Sequence, residues 1–170
     1  MSKPLFFALW HNVCIRSPYD SAIHRIAIAK MTKLATTFCE WTTVFWRTPD
    51  NSEHKQTAQK QMMALAQTFS EWSDVCHHAS EGSEQKQTAL DNMAVLAKVF
   101  ADWQYIYRHS PEESQLRQAA VDNMAAQAIT FVQWQAVRRY APKGSELRKT
   151  AREKMTELYV SILLRGRGVT

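Results

Sequence analysis

Turn-forming residues are scarce in this chain of 170 residues, which contains only four glycines and five prolines. An all-β sandwich or barrel needs turn residues at short intervals, so this scarcity excludes most folds of that class. Long apolar runs are also missing: no stretch approaches the roughly 20 apolar residues that cross a bilayer as a helix. We therefore expect no membrane association through a spanning segment.

Cysteine is scarce as well, with Cys14, Cys39 and Cys76 as its only occurrences. An odd number of cysteines in a chain with an adequate core argues against a disulfide framework and predicts reduced thiols in the cytoplasm. The short apolar run near the start is interrupted by Trp10 and His11 and lacks a small-residue cleavage site, which is not typical of a signal peptide.

Helix-forming residues make up much of what is present. Hydrophobic residues account for 45% of the chain and charged residues for 22%, values that suit a folded globular protein. Ala, Gln, Lys, Met and Glu are abundant, and these residues have high helix propensity. The composition therefore predicts an all-α fold.

An internal repeat of 31 residues organises the chain. Several residue types recur in fixed phases of this repeat: Ser21, Ser52, Ser83, Ser114 and Ser145; Met31, Met62, Met93, Met124 and Met155; Phe38, Phe69, Phe100 and Phe131; Trp41, Trp72, Trp103 and Trp134. A regular period of this length is the signature of a repeat architecture. We interpret residues 1–170 as one helical-repeat domain, with a partial copy at 1–17, four full copies at 18–141 and a divergent basic copy at 142–170.

The apolar residues of one copy follow helical spacing. In the first full copy they are separated by steps of four and three residues, at Ala27, Met31, Leu34, Phe38, Trp41 and Phe45. This spacing predicts one helix of about 25 residues, roughly 37 Å long. A joint of about five residues cannot return the chain to its starting end, so consecutive helices would be antiparallel, in an up-and-down bundle or a layered array.

A second interpretation divides each copy into two short helices, which would give a solenoid of helix pairs. Asp91-Asn92 and Asp122-Asn123 could cap a second helix under this interpretation. The start of each copy also has two possible caps. They are the periodic serine and, in one copy, a capping box of Ser110 with Glu113.

Positive charge is concentrated near the end of the sequence. Residues 138–170 contain nine Lys and Arg against three Asp and Glu. Such an excess favours contact with phosphates or with an acidic partner, so nucleic-acid binding is the alternative function that we consider. The basic residues considered for it are Arg138, Arg139, Arg148, Lys149, Arg152, Arg165 and Arg167.

Two aromatic residues depart from the repeat pattern, Trp46 and Tyr105. Basic residues recur beside the expected helix ends, among them Arg47 and Arg108. Charge complementarity with the helix dipole explains this position, but Trp, Tyr and Arg also dominate protein interfaces. We therefore interpret the chain as a non-enzymatic interaction or adaptor protein that binds another protein or self-associates, with these four residues and the basic residues above as candidate contacts.

Residues that could bind a metal or perform catalysis form no consistent pattern. Asp74, Cys76, His77 and His78 lie close together in the sequence, but the equivalent positions of other copies are not ligands. No spacing typical of a zinc site, a nucleophile motif or a phosphate loop is present. We therefore expect no metal, no cofactor and no catalytic residues.

Overall fold

The computed structural model describes residues 3–166, and over this range the chain forms ten α-helices and no β-strand. The helices are α1 (Lys3–Arg16), α2 (Ala22–Leu34), α3 (Phe38–Arg47), α4 (Glu53–Leu65), α5 (Phe69–His78), α6 (Glu84–Leu96), α7 (Phe100–His109), α8 (Gln115–Gln127), α9 (Phe131–Tyr140) and α10 (Glu146–Gly166). The chain divides into two compact units, Met1–Ala89 and Leu90–Thr170.

Each full copy of the repeat contains two helices. A first helix of 13 residues (α2, α4, α6 and α8) is followed by a link of three residues and a second helix of 10 residues (α3, α5, α7 and α9). The predicted all-α tandem repeat is thus confirmed. Of the two arrangements considered for one copy, the pair of short helices is correct and the single helix of about 25 residues is wrong.

A capping box in the link explains why the long helix does not form. In α5 the amide of Glu71 donates to Thr68 Oγ1 at 3.2 Å, and the Glu71 carboxylate accepts from the Thr68 amide at 3.0 Å. Thr37 with Glu40 and Thr130 with Gln133 repeat this pair. The cap residue is extended, with φ −112° and ψ 158° at Thr37, so the backbone leaves the helix at each link.

The break falls later in each copy than the aspartates and asparagines had suggested. Asp122 and Asn123 lie inside α8, where the Asn123 amide donates to the carbonyl of Ala119 at 2.8 Å. The link of this copy lies at residues 128–130. A side chain that bonds the backbone one turn earlier fits inside a helix, which is why these residues do not mark its end.

Contacts made by Phe45 show that the copy containing α4 and α5 bends sharply at its link. Lys55 Nζ lies 4.6 Å from the centre of the Phe45 ring, and the His78 ring lies 4.6 Å from the same ring. Lys55 lies in the first turn of α4 and His78 is the last residue of α5. In one straight helix they would be about 34 Å apart. The two helices of this copy therefore cannot form one continuous helix.

The same arrangement recurs in the second unit around Tyr107. The Arg117 guanidinium lies 4.4 Å from the Tyr107 ring, and the Tyr140 ring lies 4.3 Å from it. Because Arg117 lies in the first turn of α8 and Tyr140 is the last residue of α9, this copy bends as well. These two bends place the end of α5 beside the end of α3 and the end of α9 beside the end of α7.

The periodic serine, rather than the Ser110–Glu113 box, begins each first helix. The Ser114 side chain accepts from the amide of Arg117 at 3.2 Å, and Ser21, Ser52, Ser83 and Ser145 do the same in their copies. Ser110 instead follows the last residue of α7, where its hydroxyl donates to the carbonyl of Ile106 at 2.7 Å. The proposed Ser110 box is therefore wrong.

The last copy lacks the break. Leu164 stands where Glu40, Glu71 and Gln133 accept the cap hydrogen bond in other copies, and leucine has no acceptor. The Ser161 hydroxyl donates instead to the carbonyl of Leu158 within the helix, at 2.8 Å. α10 accordingly runs for 21 residues without interruption. The predicted long helix thus occurs in this one copy, because this copy lacks the capping acceptor that interrupts the helix in the others.

The core of each copy follows the repeat. The methionines of the first helices are almost fully buried, with exposed fractions of 0–1% at Met31, Met62, Met93 and Met124. The second helices bury Val44, Val75, Ile106 and Val137 to the same degree. The periodic phenylalanines are only half-buried. The link changes which face of the second helix packs inward, so the valine and isoleucine row replaces phenylalanine in the core.

Candidate functional site

Two clefts lie between second helices of consecutive copies, one in each unit. The first, here called the tryptophan cleft, has a volume of about 630 Å³ and is lined by His11, Phe38, Cys39, Thr42, Thr43, Trp46, Arg47, Glu71 and Asp74. The second, here called the arginine cleft, has a volume of about 540 Å³ and is lined by Gln104, Arg108, Val132, Gln135, Ala136, Arg138, Arg139, Tyr140 and Arg148. Both result from the bend at the link.

The arginine cleft gathers four guanidinium groups from three helices. Arg108 belongs to α7, Arg138 and Arg139 to α9, and Arg148 to α10. They come together because α7 and α9 end beside each other and because α10 begins close to the end of α9. No Asp or Glu lines the cleft, so its potential is positive.

Hydrogen bonds fix two of these arginines. Arg108 Nε and Nη2 each donate to Tyr140 Oη at 3.4 Å, and Arg148 Nη1 donates to the carbonyl of Ala141 at 3.4 Å. Tyr140 is itself held by its ring contact with Tyr107 and by Gln104, whose Nε2 donates to Tyr140 Oη at 3.4 Å. The cleft is thus organised around a tyrosine that has several partners.

The positive charge of the arginine cleft affects the pKa of the Tyr140 phenol. Burial acts to raise the pKa of Tyr140, but the hydrogen bonds from Arg108 and Gln104 and the charges of Arg108 and Arg139 outweigh it, so the pKa lies below its usual range. A lowered tyrosine pKa means that negative charge is favoured at this position.

The four arginines lack carboxylate partners within the described part of the chain. The ion pairs found there join Arg25 to Asp20, Lys55 to Asp50, Lys86 to Glu81, Lys149 to Glu146 and Lys154 to Glu157. Arg138 and Arg139 are exposed. The arginine cleft therefore presents positive charge that the fold itself does not neutralise.

The tryptophan cleft combines an exposed aromatic ring with charges of both signs. The Trp46 side chain is 61% exposed, although its ring meets that of His78 edge-on at 4.6 Å. Arg47 lies beside it, and Glu71 and Asp74 line the opposite wall on α5. Burial, followed by the positive charge of Arg47, lowers the pKa of His11 in this cleft. The cleft thus offers an apolar anchor within a polar rim.

The structure brings some of the predicted contact residues together and separates others. Trp46 and Arg47 share one cleft, and Arg108, Arg138, Arg139 and Arg148 share the other. Tyr105 does not line the arginine cleft; its ring stacks on His109 with 3.9 Å between ring centres. The side chain of Arg165 and the whole of Arg167 lie outside the described residues.

The two remaining predicted residues, Lys149 and Arg152, lie on an exposed face of α10 of mixed charge. Glu153 and Glu157 share this face, and Lys149 Nζ lies 2.6 Å from Glu146 Oε1. Lys154 is likewise paired with Glu157. In the described part of the chain, Lys149 and Lys154 of the basic excess in residues 138–170 are therefore paired with glutamates on α10, whereas Arg138, Arg139 and Arg148 lie in the arginine cleft without a carboxylate partner.

A set of basic residues that was not recognised from the sequence recurs at the joints between copies. It occurs at one phase of the repeat, in His24, Lys55, Lys86, Arg117 and Arg148. Arg117 Nη1 donates to the carbonyl of Ser110 at 3.2 Å, and Lys86 pairs with Glu81. A cation placed against the carbonyls that end a helix is stabilising. The signal was five basic residues spaced 31 apart.

The cysteine and histidine cluster considered for metal binding is divided between the core and the surface of the fold. Cys76 is fully buried in the core, where burial raises the pKa of its thiol. His78 packs between Phe45 and Trp46. Within residues 3–166 no group of three His, Cys, Asp or Glu side chains is placed to hold a metal ion.

The described helices include none with the length and apolar character needed to cross a bilayer. Comparison with known proteins gives no relative: no protein-family model, no curated protein and no solved structure matches this chain.

Proposed function

We propose that this chain is a non-enzymatic interaction module that binds a protein partner through the clefts between consecutive second helices. The observation that carries the proposal is Trp46, a large aromatic side chain that is 61% exposed yet held by ring contacts to His78 and Phe45. A fixed, exposed tryptophan flanked by an arginine and a polar rim is the usual composition of an interface hot spot.

The proposal is tested by selecting peptides from a random displayed library on the immobilised protein. Enriched peptides should bind the wild type, and Trp46→Ala should weaken them about tenfold or more, as expected for a hot-spot residue. Tyr19→Ala is the control, since Tyr19 is 68% exposed in the same unit but does not line the cleft. The proposal fails if no peptide is enriched or if Trp46→Ala binds as the wild type does.

A second copy of the chain is one partner that this proposal includes. Leu5, Phe6 and Leu9 of α1 and Ile162 and Leu163 of α10 are exposed apolar residues. Sedimentation velocity over a range of protein concentrations distinguishes self-association from binding to another protein. We place this interaction in the cytoplasm, supported by the free thiols of Cys14, Cys39 and Cys76.

Nucleic-acid binding remains the alternative, and the arginine cleft is the observation that favours it. Phosphate contacts would make the affinity for an oligonucleotide fall steeply with salt concentration. The pairing of Lys149 and Lys154 with glutamates on α10 weighs against it, because a nucleic-acid strand follows a continuous basic surface.

A further inference from the structure

We propose that the arginine cleft binds a carboxylate-bearing segment of a protein partner, such as a run of glutamates or aspartates. The partner class rests on the proposed function, whereas the choice of carboxylate rests on the cleft itself. Arg108, Arg138, Arg139 and Arg148 converge there, and no carboxylate within residues 3–166 pairs with them.

Arginine suits this ligand because of its geometry. A planar guanidinium donates two parallel hydrogen bonds to one carboxylate, and such charge-assisted pairs are stronger than neutral hydrogen bonds. Four guanidinium groups in one cleft can therefore hold two or more neighbouring carboxylates. The side-chain amides of Gln104 and Gln135, which also line the cleft, supply further donors.

The cleft is partly organised before any ligand binds. Arg108 is held by Tyr140 and Arg148 by the carbonyl of Ala141. An arginine that is already oriented loses less side-chain freedom on binding, so more of the interaction contributes to affinity. Arg138 and Arg139, on the exposed rim, then complete the contact.

The dimensions and surroundings of the cleft favour a peptide over a nucleic acid. Its volume of about 540 Å³ accommodates a few side chains. Val132, which is 70% exposed, and Ala136 give the wall an apolar patch that suits the methylene groups of glutamate. Beyond the cleft, Lys149 and Lys154 of α10 are paired with glutamates, so these two lysines do not extend its positive surface.

The test measures binding of fluorescein-labelled oligo-glutamate by anisotropy at low ionic strength, with oligo-glutamine and oligo-thymidylate of equal length as competing probes. Oligo-glutamate should bind most tightly. Arg139→Glu should weaken it about tenfold or more. The matched control is Lys98→Glu, which makes the same charge change on an exposed side chain before α7 and outside the cleft; its affinity should stay within about twofold of the wild type.

Arg108→Gln provides a second variant, which removes a positive charge without introducing a negative one. Circular dichroism verifies that each variant is folded. Equal binding of oligo-glutamine, tighter binding of oligo-thymidylate, or unchanged affinity in both folded cleft variants would overturn the inference. These outcomes differ from the outcomes that would contradict the proposed function. Library peptides that depend on Trp46 but show no acidic preference would leave the proposed function standing while contradicting the carboxylate site.

Discussion

Replacing Met62 by alanine should lower the free energy of unfolding by about 2–5 kcal/mol, the range measured for large-to-small changes in packed cores. Met62 is 1% exposed and is one of four equivalent methionines that fill the centre of their copies. Its truncation removes buried apolar surface and leaves a cavity, because the links and joints on both sides limit how far the helices can move inward. Urea denaturation followed by far-ultraviolet circular dichroism measures the change.

The next residue provides a matched control. Met63 is the same side chain on the same helix but is only half-buried, so Met63→Ala should lower the free energy of unfolding by less than about 1 kcal/mol. Equal effects of the two substitutions would show that the methionine row does not form the core of its copy.

Removing the capping box of α5 should have the second largest effect. Thr68→Ala combined with Glu71→Ala should lower the free energy of unfolding by about 1–3 kcal/mol, since a single cap is worth roughly half to two kcal/mol. The double variant removes the hydrogen bonds that the amides of Gln67 and Thr68 donate to the Glu71 carboxylate, at 2.9 and 3.0 Å. Thr57→Ala, inside α4, is the control and should leave stability unchanged or slightly higher.

The same box makes stability depend on pH. The hydrogen bond from the Gln67 amide, opposed by partial burial and reinforced by Thr68, lowers the pKa of Glu71 below its usual range. The stabilisation is therefore complete above the ordinary glutamate pKa, about 4.3, and is lost as pH falls through the lower folded value. Glu71→Gln should remove this contribution to acid sensitivity while keeping the cap, as Gln133 does at the equivalent position. A variant as acid-sensitive as the wild type would refute this assignment.

The repeat and the helical class could be predicted from sequence because both depend on periodicity. The break could not be seen in the apolar pattern, since Phe38 and Trp41 continue the spacing of Met31 and Leu34 across the link. Its signal was polar. A carboxylate or amide side chain recurs every 31 residues, at Glu40, Glu71, Asp102 and Gln133, and in three of these four copies a threonine precedes it by three residues, at Thr37, Thr68 and Thr130. Local capping therefore outweighs the helical pattern that surrounds it.

Individual residues of the candidate site could be predicted from the sequence, but their grouping in one cleft could not. Arg108 was singled out for its place at a helix end, and Arg148 for the charge excess of the last copy. That they share a cleft follows from the bend, which places α7 beside α9, and from the joint after α9, which places the start of α10 close to the end of α9. The basic residues of the joints have another role, which becomes visible only when Arg117 is seen against the carbonyl of Ser110.

Proton nuclear Overhauser effects from the Phe45 ring test the bend most directly, because the clefts exist only if each copy folds back at its link. The structure predicts contacts from this ring both to the Lys55 side chain and to the His78 ring, each 4.6 Å from its centre. In an uninterrupted helix those two residues would be about 34 Å apart and could not both reach one ring. Effects to Lys55 without any to His78 would contradict the bend of this copy and, with it, the tryptophan cleft.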